Sequence, residues 1–361
     1  MKKWILFLLL AITATAQAAE TGNTFHFLAM SQPQLRDNGP KLEAAFGKLA
    51  HAHPAFVVIN GIKSEKEACS DELYYQRKEL ANSVNLPVVL SLSNADWVNC
   101  RNRYGDSLAI ERLIRLKQIF FDGADSLGMT PLALTRQSLG NRFANYPENA
   151  YWLKNSILFA TLHMPSDNNH YLAAAGRNNE FEDRTVANRN WLDRLFRMAN
   201  RHHYKGIVLF CDGNPYAAMP KEHSSATLRD GFREIRQKLD TLISRYPGRV
   251  LLIHGQNTSR HEEIVWRDRL GTLGLTPDWI RIDVAPGSQH LFQATPAFKK
   301  KRQGKTRHSS EDSSNPLTSS RISRPHMDNR LLPMPAICKR SSGVFGLITA
   351  ISRNVASCKI T

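Results

Sequence analysis

The sequence predicts an α/β protein, a layered sandwich of mixed β-sheets flanked by helices. Three observations point there: short continuously apolar runs of strand length, helical periodicity between them, and an apolar content of 42% over 361 residues, enough for a sizeable core. Strands are expected at Phe25–Ala29, Phe56–Ile59, Pro87–Leu92, Ile157–Leu162, Gly206–Phe210, Arg249–Ile253 and Trp279–Val284. Most lack any polar alternation, as strands covered on both faces do. Helices are expected over Lys41–Ala50, Glu65–Ser83, Leu108–Phe121, Val186–His203 and Thr227–Arg245, the last closed by Pro247-Gly248. No internal repeat and no Pro- or Gly-rich linker interrupts this alternation, so residues 19–298 read as one domain.

The two ends differ from this body. Residues 1–18 carry Lys2 and Lys3, an apolar run from Trp4 to Ile12 and the small-residue end Ala16-Gln17-Ala18, the three-part layout of a secretory signal peptide, so the mature chain is expected to begin at Ala19 or Glu20 in the periplasm or outside the cell. The run is short for about 30 Å of hydrocarbon, which makes an uncleaved anchor the weaker reading. At the other end, residues 299–361 hold thirteen Lys or Arg against three Asp or Glu, beginning with Lys299-Lys300-Lys301-Arg302. Of the formal net charge of +16, this tail supplies +10 and the leader +2, so the body is left with +4. A nearly balanced body gives no reason to expect nucleic acid on the folded domain, whereas the tail, rich in Ser, Arg and Pro, reads as disordered: a charged solvated segment first, since a basic run alone specifies no partner, with an arm for anionic surfaces as the alternative. The change of character after Phe298 is also what a shifted reading frame produces.

Of five cysteines, Cys69 and Cys100 each follow a strand-like segment and make a reasonable disulfide in an oxidising compartment; two buried free thiols are the alternative. Cys211 closes an apolar run and is expected in the core, and Cys338 and Cys358 in the tail carry no assigned role.

Ligands of layered α/β folds collect beyond the carboxyl ends of the strands, so the residues after each apolar run are where a site is sought. These read Met30-Ser31-Gln32-Pro33, Asn60-Gly61-Ile62-Lys63, Ser93-Asn94-Ala95-Asp96-Trp97, His163 to His170, Cys211-Asp212-Gly213-Asn214-Pro215 and His254-Gly255-Gln256-Asn257-Thr258. Here the chain resembles the calcineurin-like metallophosphoesterases, and more closely an exported bacterial branch of them. The likeness is carried by Pro33, Ile62-Lys63, Cys69-Ser70-Asp71, Trp97, Cys100, Glu148-Asn149 with Trp152, Asn168-Asn169, Asn190-Trp191 and His254-Gly255, whose order covers nearly all of residues 24–298. The resemblance implies a metallophosphoesterase-like fold. It also marks departures: Ser31 stands at the first metal-binding Asp, Gly61 at the Asp that bridges two metals, Ala95 at the metal-binding Asn, and Gln256 and Thr258 at a late Asp and His. Two cations about 3.5 to 4 Å apart need a shared anionic oxygen, which glycine does not offer. The expectation is therefore an impaired relative that acts by binding a ligand or a protein partner, with no metal and no cofactor.

A working phosphoesterase with divalent ions in a rearranged site is the alternative, with Asp96, His163, His254 and His261 as candidate catalytic groups and ligands. His170, Asp167 and Asp212 lie at the same exits, although any one such His or Asp is more often a satisfied imidazole or a turn former than a catalyst. Lys63, Asn94 and Asn168 are candidate ligand-binding residues, Lys63 because a cation at a strand exit can hold an anion. Asn94, Asn168 and Asn169 serve tight turns equally well. Trp97, Trp152, Trp191 and Trp279 are expected to pack. No nucleophile elbow, phosphate-binding glycine loop or His-Glu-x-x-His helix occurs. A third reading is an interaction protein that docks through the basic tail; removing residues from Lys299 onward would then abolish salt-sensitive association.

Overall fold

The computed structural model describes residues 24–32, 40–173, 178–217, 229–256 and 263–298. The leader, the basic tail with Cys338 and Cys358, and Pro33, Thr258 and His261 lie outside the described residues.

Twelve described strands form two mixed sheets. The smaller contains β1 (Phe25–Ser31), β2 (Val57–Asn60), β3 (Val88–Ser91), β11 (Ile280–Val284) and β12 (Phe292–Pro296), in the order β12-β11-β1-β2-β3. The larger contains β4 (Thr135–Arg136), β5 (Ala150–Lys154), β6 (Ile157–Thr161), β7 (Gly206–Cys211), β8 (Arg249–His254), β9 (Val265–Arg267) and β10 (Leu270–Gly274), in the order β4-β5-β6-β7-β8-β10-β9. Strands β1, β2 and β3 run parallel, as do β6, β7, β8 and β10; β11, β12, β4, β5 and β9 add antiparallel flanks.

The parity of the strands explains the continuous apolar runs. Phe27, Ala29, Val58 and Val89 of the smaller sheet meet Phe159, Val208, Phe210, Leu251 and Ile253 of the larger in one central core. Aromatic rings cross the interface: Phe56 stands edge-on to Trp152 at 5.4 Å between centroids, and Phe27 to Phe159 at 5.5 Å. The intervening residues of the smaller sheet, Leu28, Met30, Val57, Ile59, Val88 and Leu90, pack under α1 (Pro40–Gly47), α2 (Asp71–Asn82) and α4 (Ala109–Phe120). Those of the larger sheet, Leu158, Ala160, Ile207, Leu209, Val250 and Leu252, pack under α5 (Asn179–Arg201) and α6 (Arg233–Ser244). Each central strand is thus covered on both faces, and the result is four layers, helix on sheet on sheet on helix. The expected α/β sandwich is the fold.

All seven expected strands and all five expected helices are present, with shifted ends. Helix α2 starts at Asp71 rather than Glu65, because the Ser70 side chain accepts the Leu73 N–H and caps it, while Ser64 N–H turns back to Glu67. Helix α5 starts seven residues before the expected Val186; its polar first turns are held by Phe181, Arg184 and Thr185, all buried. The exit Asn94–Trp97 is itself a single helical turn, α3. Strands β4, β5, β9, β10 and β12 carry no sequence expectation; they are short, rich in Gly, Thr or Arg, or peripheral.

The Cys69–Cys100 disulfide is formed, with Cα atoms 5.7 Å apart. It ties the segment before α2 to the residue three beyond α3, where the Tyr74 hydroxyl donates to Asp96 O at 2.8 Å. Cys211 is a buried free thiol, as expected for a core residue. Among the described residues no helix is long and apolar enough to cross a membrane.

Candidate functional site

The parallel strands of both sheets end at one edge of the sandwich, and there the inward-facing positions change from apolar to polar. Following Phe27 and Ala29, β1 turns Ser31 inward; following Val58, β2 turns Asn60 inward. Ser31 Oγ donates to Asn60 Oδ1 at 3.1 Å, and Asn60 Nδ2 reaches Cys211 O of the opposite sheet at 3.5 Å. A Cβ at Gly255 would lie 2.1 Å from Asn60 Oδ1 and 2.5 Å from Asp212 Oδ1, so only glycine lets the β2, β7 and β8 exits approach this closely.

Asp212 joins the two halves of the crevice. Its Oδ2 accepts Asn94 N–H at 2.8 Å from the smaller sheet's side and Ser166 N–H at 2.9 Å from the loop after β6. Burial pushes its carboxyl up to about 6, although those two donors favour the ionised form and act against the shift. Asp96 is wholly buried, and its carboxylate accepts Ile62 N–H at 2.9 Å and Ser93 N–H at 2.8 Å. Burial raises this carboxyl as well, against its amide donors and the charge of Lys63.

Lys63 is placed otherwise than a ligand-holding cation requires. It is 1% exposed, and its Nζ donates to Ala95 O at 2.7 Å and Ser64 O at 2.9 Å. Burial lowers its ammonium. Lys63 and Asp96 together brace α3. Asn168 is also structural: its Oδ1 accepts Gly231 N–H at 2.9 Å and its Nδ2 donates to Arg229 O at 3.1 Å, anchoring the approach to α6. Residues 168–170 all have left-handed backbone, with φ of 41°, 55° and 55°, a conformation Asn tolerates. Asn94 sits in the crevice with its Oδ1 buried and without a hydrogen-bond partner.

His163 is the candidate with the most organised surroundings. Its Nδ1 is 2.9 Å from Glu148 Oε1, which is also 2.9 Å from Lys117 Nζ. Burial lowers the imidazole against the pull of Glu148; for Glu148, Lys117 and the imidazole outweigh the burial cost and hold the carboxyl low. With the ring neutral and the carboxylate ionised, the single ring proton goes from Nδ1 to Glu148, and Nε2, buried and unpartnered, is an acceptor. The His163 backbone is fixed on both sides, N–H to Asn149 Oδ1 and C=O from Asn188 Nδ2. Its ring stands edge-on to Trp97 at 5.4 Å, and His170 approaches the same indole at 4.7 Å. His170 Nδ1 is 2.8 Å from Glu180 Oε2, and Arg184 binds both Glu180 and Asn169 Oδ1. Arg184 drives the Glu180 carboxyl far below its ordinary range in spite of burial.

His254 does not join His163. It ends β8 on the parity of Val250 and Leu252, the helix side of the larger sheet, level with Cys211. Burial lowers its imidazole to about 4, so it is neutral, and its Nδ1 is unpartnered. Asp167 is exposed, and its carbonyl accepts His170 N–H. Gln256 bridges two loops, its Oε1 to Asn214 N–H and its Nε2 to Ser166 O. Asn94 and Asp212 thus meet at this edge, Asp96 and Trp97 follow on α3 with His163 against the indole, and His254 lies on the far face.

Sequence reasoning passed over Lys117, Glu180, Arg184 and Asn188, since these lie inside helices with no strand exit to flag them. The signal available was helical phase: Arg184 and Asn188 are four apart, on the buried face of α5.

The donor set does not fit a pair of divalent cations. Ser31 offers a neutral hydroxyl that is already donating, Gly61 has no side chain and a φ of 78°, and Ala95 is apolar. Among the described residues, no group of three or more His, Cys, Asp and Glu is arranged to hold a metal ion.

No protein-family model matches the chain, and no curated protein matches it. Among solved structures the chain is similar to "GAP50 the anchor in the inner membrane complex of Plasmodium", at 10% identity and a TM-score of 0.42, over 78% of this chain and 90% of that one.

Proposed function

We propose that the chain is an exported relative of the metallophosphoesterases that has lost phosphoester hydrolysis and binds a ligand or partner in the crevice between its sheets. One observation carries this reading: the crevice's two buried carboxylates, Asp96 and Asp212, are engaged by backbone N–H groups, and the positions where the resemblance expects metal-binding Asp hold Ser31 and Gly61. A buried carboxylate already bracing two chain segments is costly to redirect to a cation, because the amides it leaves would be unpaired. Buried acceptors without partners, Asn94 Oδ1 and His163 Nε2, favour a binding role, since such groups need a donor from water or ligand. Export is supported by the leader-like residues 1–18 and by the Cys69–Cys100 disulfide, which persists in oxidising compartments.

The test is metal analysis of the purified full chain, followed by assay against mono- and di-4-nitrophenyl phosphate with added manganese, zinc or iron. The reading expects no stoichiometric metal and no turnover above the metal-only control. Stoichiometric metal with turnover that falls on Asp96→Ala, His163→Ala or His261→Ala would overturn it in favour of a rearranged hydrolase.

A further inference from the structure

At the edge of the larger sheet opposite the crevice, where β7 and β8 begin, lies an open groove of about 730 Å³. That volume is within the range of small-molecule sites, about 300 to 1,000 Å³. Three chain segments build it: the end of α5 with the turn into β7, the turn from α6 into β8, and the loop between β11 and β12. His203, Lys205 and Arg249 line it beside Tyr204, Pro286 and Leu291.

The groove's charge is one-sided. None of its lining residues is acidic. Residues 194–211, 241–256 and 285–298, which supply its walls, contain no Asp or Glu, while Lys205 and Arg249 line the groove itself. Among the described residues, Lys205 and Arg249 have no carboxylate partner; Lys205 is exposed, and Arg249 lies over the Trp266 ring at 5.0 Å. The carboxyl ends of α5 and α6 point to this edge and bring roughly half a negative charge each. Lys205 and Arg249, the two formal cations that line the groove, exceed that, so it remains positive.

Its floor is rigid. A Cβ at Gly206 would meet Leu291 Cδ2 and Phe292 Cζ at 2.8 Å, and one at Gly248 would meet Lys205 O and Tyr246 Oη at 2.6 Å. The Tyr246 hydroxyl donates to Tyr204 O at 2.6 Å and fixes the turn that carries Lys205. Cations beside an apolar wall suit a ligand with an oxyanion at one end and a ring or apolar body at the other.

We infer that this groove binds a small anionic molecule, one phosphate, sulfate or carboxylate group held by Lys205 and Arg249 with a ring or apolar portion against Tyr204, Pro286 and Leu291. The inference is independent of the crevice and of whether the protein hydrolyses anything.

Calorimetric titration of the full chain with phenylphosphonate tests it, with benzyl alcohol as the uncharged analogue. One saturable site is expected for phenylphosphonate, weakened at least tenfold by Lys205→Gln and by Arg249→Gln, largely kept by Arg249→Lys, and declining as salt is raised. Benzyl alcohol should give no saturable heat. Because Lys205 is exposed, Lys205→Gln carries the test if Arg249→Gln fails to fold. Absence of saturable binding at millimolar phenylphosphonate overturns the inference. So does binding that survives Lys205→Gln, as it would if the basic tail held the anion, or equal binding of benzyl alcohol.

Discussion

Asp212 and His254 sit at neighbouring strand exits, on opposite faces of one sheet, and their protonation pulls stability in opposite directions with pH. The Asp212 carboxyl rises from 3.8 to about 6 on folding. Its protonated form is the one the fold prefers, so its contribution is full below 3.8 and is lost as pH climbs toward 6, about 3 kcal/mol at 1.4 kcal/mol per unit. The His254 imidazole falls from 6.5 to about 4. Its neutral form is preferred, so its contribution is full above 6.5 and is lost as pH falls toward 4. The two largely cancel in the native protein. Asp212→Asn should raise stability at pH 7 by about 1 to 3 kcal/mol and expose the rising slope of His254 between pH 4 and 6.5; His254→Asn should expose the falling slope of Asp212. Urea midpoints across that range read both, and a flat profile in either variant would refute the assignment.

At the level of elements, α3 is a single turn of four residues and has no intrinsic stability of its own. What holds it is tertiary: Asp96 accepts from three backbone amides, Lys63 Nζ donates to Ala95 O, and the disulfide ends three residues later at Cys100. The link spans 31 residues, so removing it is expected to cost about 3 to 4 kcal/mol. Cys69→Ser/Cys100→Ser should lower the unfolding free energy read from urea melts by that amount, and amide exchange should quicken first in residues 94–100, ahead of the central strands; uniform quickening would show that the link acts on the whole fold. The same element shows what the sequence discloses and what it conceals. Ser93-Asn94-Ala95-Asp96-Trp97 was legible as a polar strand exit, and the Cys69–Cys100 pair as a disulfide. That Asp96 and Lys63 serve the backbone was not legible, because spacing along a chain does not say which way a side chain turns. His254 is the plainest case: it looks like His163 in sequence, and one residue of strand parity puts it on the other face.

For the whole molecule, the continuous apolar strands were readable because burial on both faces erases the period of two, and that same feature gave the layered class. The grouping of strands into sheets was not readable. It depends on β11 returning to pair with β1, and on β5 and β10 extending the second sheet, none of which is a local property. The aromatic cluster of Phe27, Phe56, Trp152, Phe159 and Phe210 spans both sheets, so they should unfold together. Phe56→Ala is expected to cost about 3 to 5 kcal/mol with a single coincident transition by fluorescence and circular dichroism, whereas two separated transitions would mean the sheets are independent units.

The pairing of Phe25–Ser31 with Ile280–Val284 has a further effect on how the polypeptide matures. As the chain is delivered from its amino end, β1 can meet β2 early, but its other flank stays bare until some 250 residues more have followed. The smaller sheet closes only when Ile280–Val284 arrives, and until then β1 keeps an open backbone edge that a chaperone can grasp.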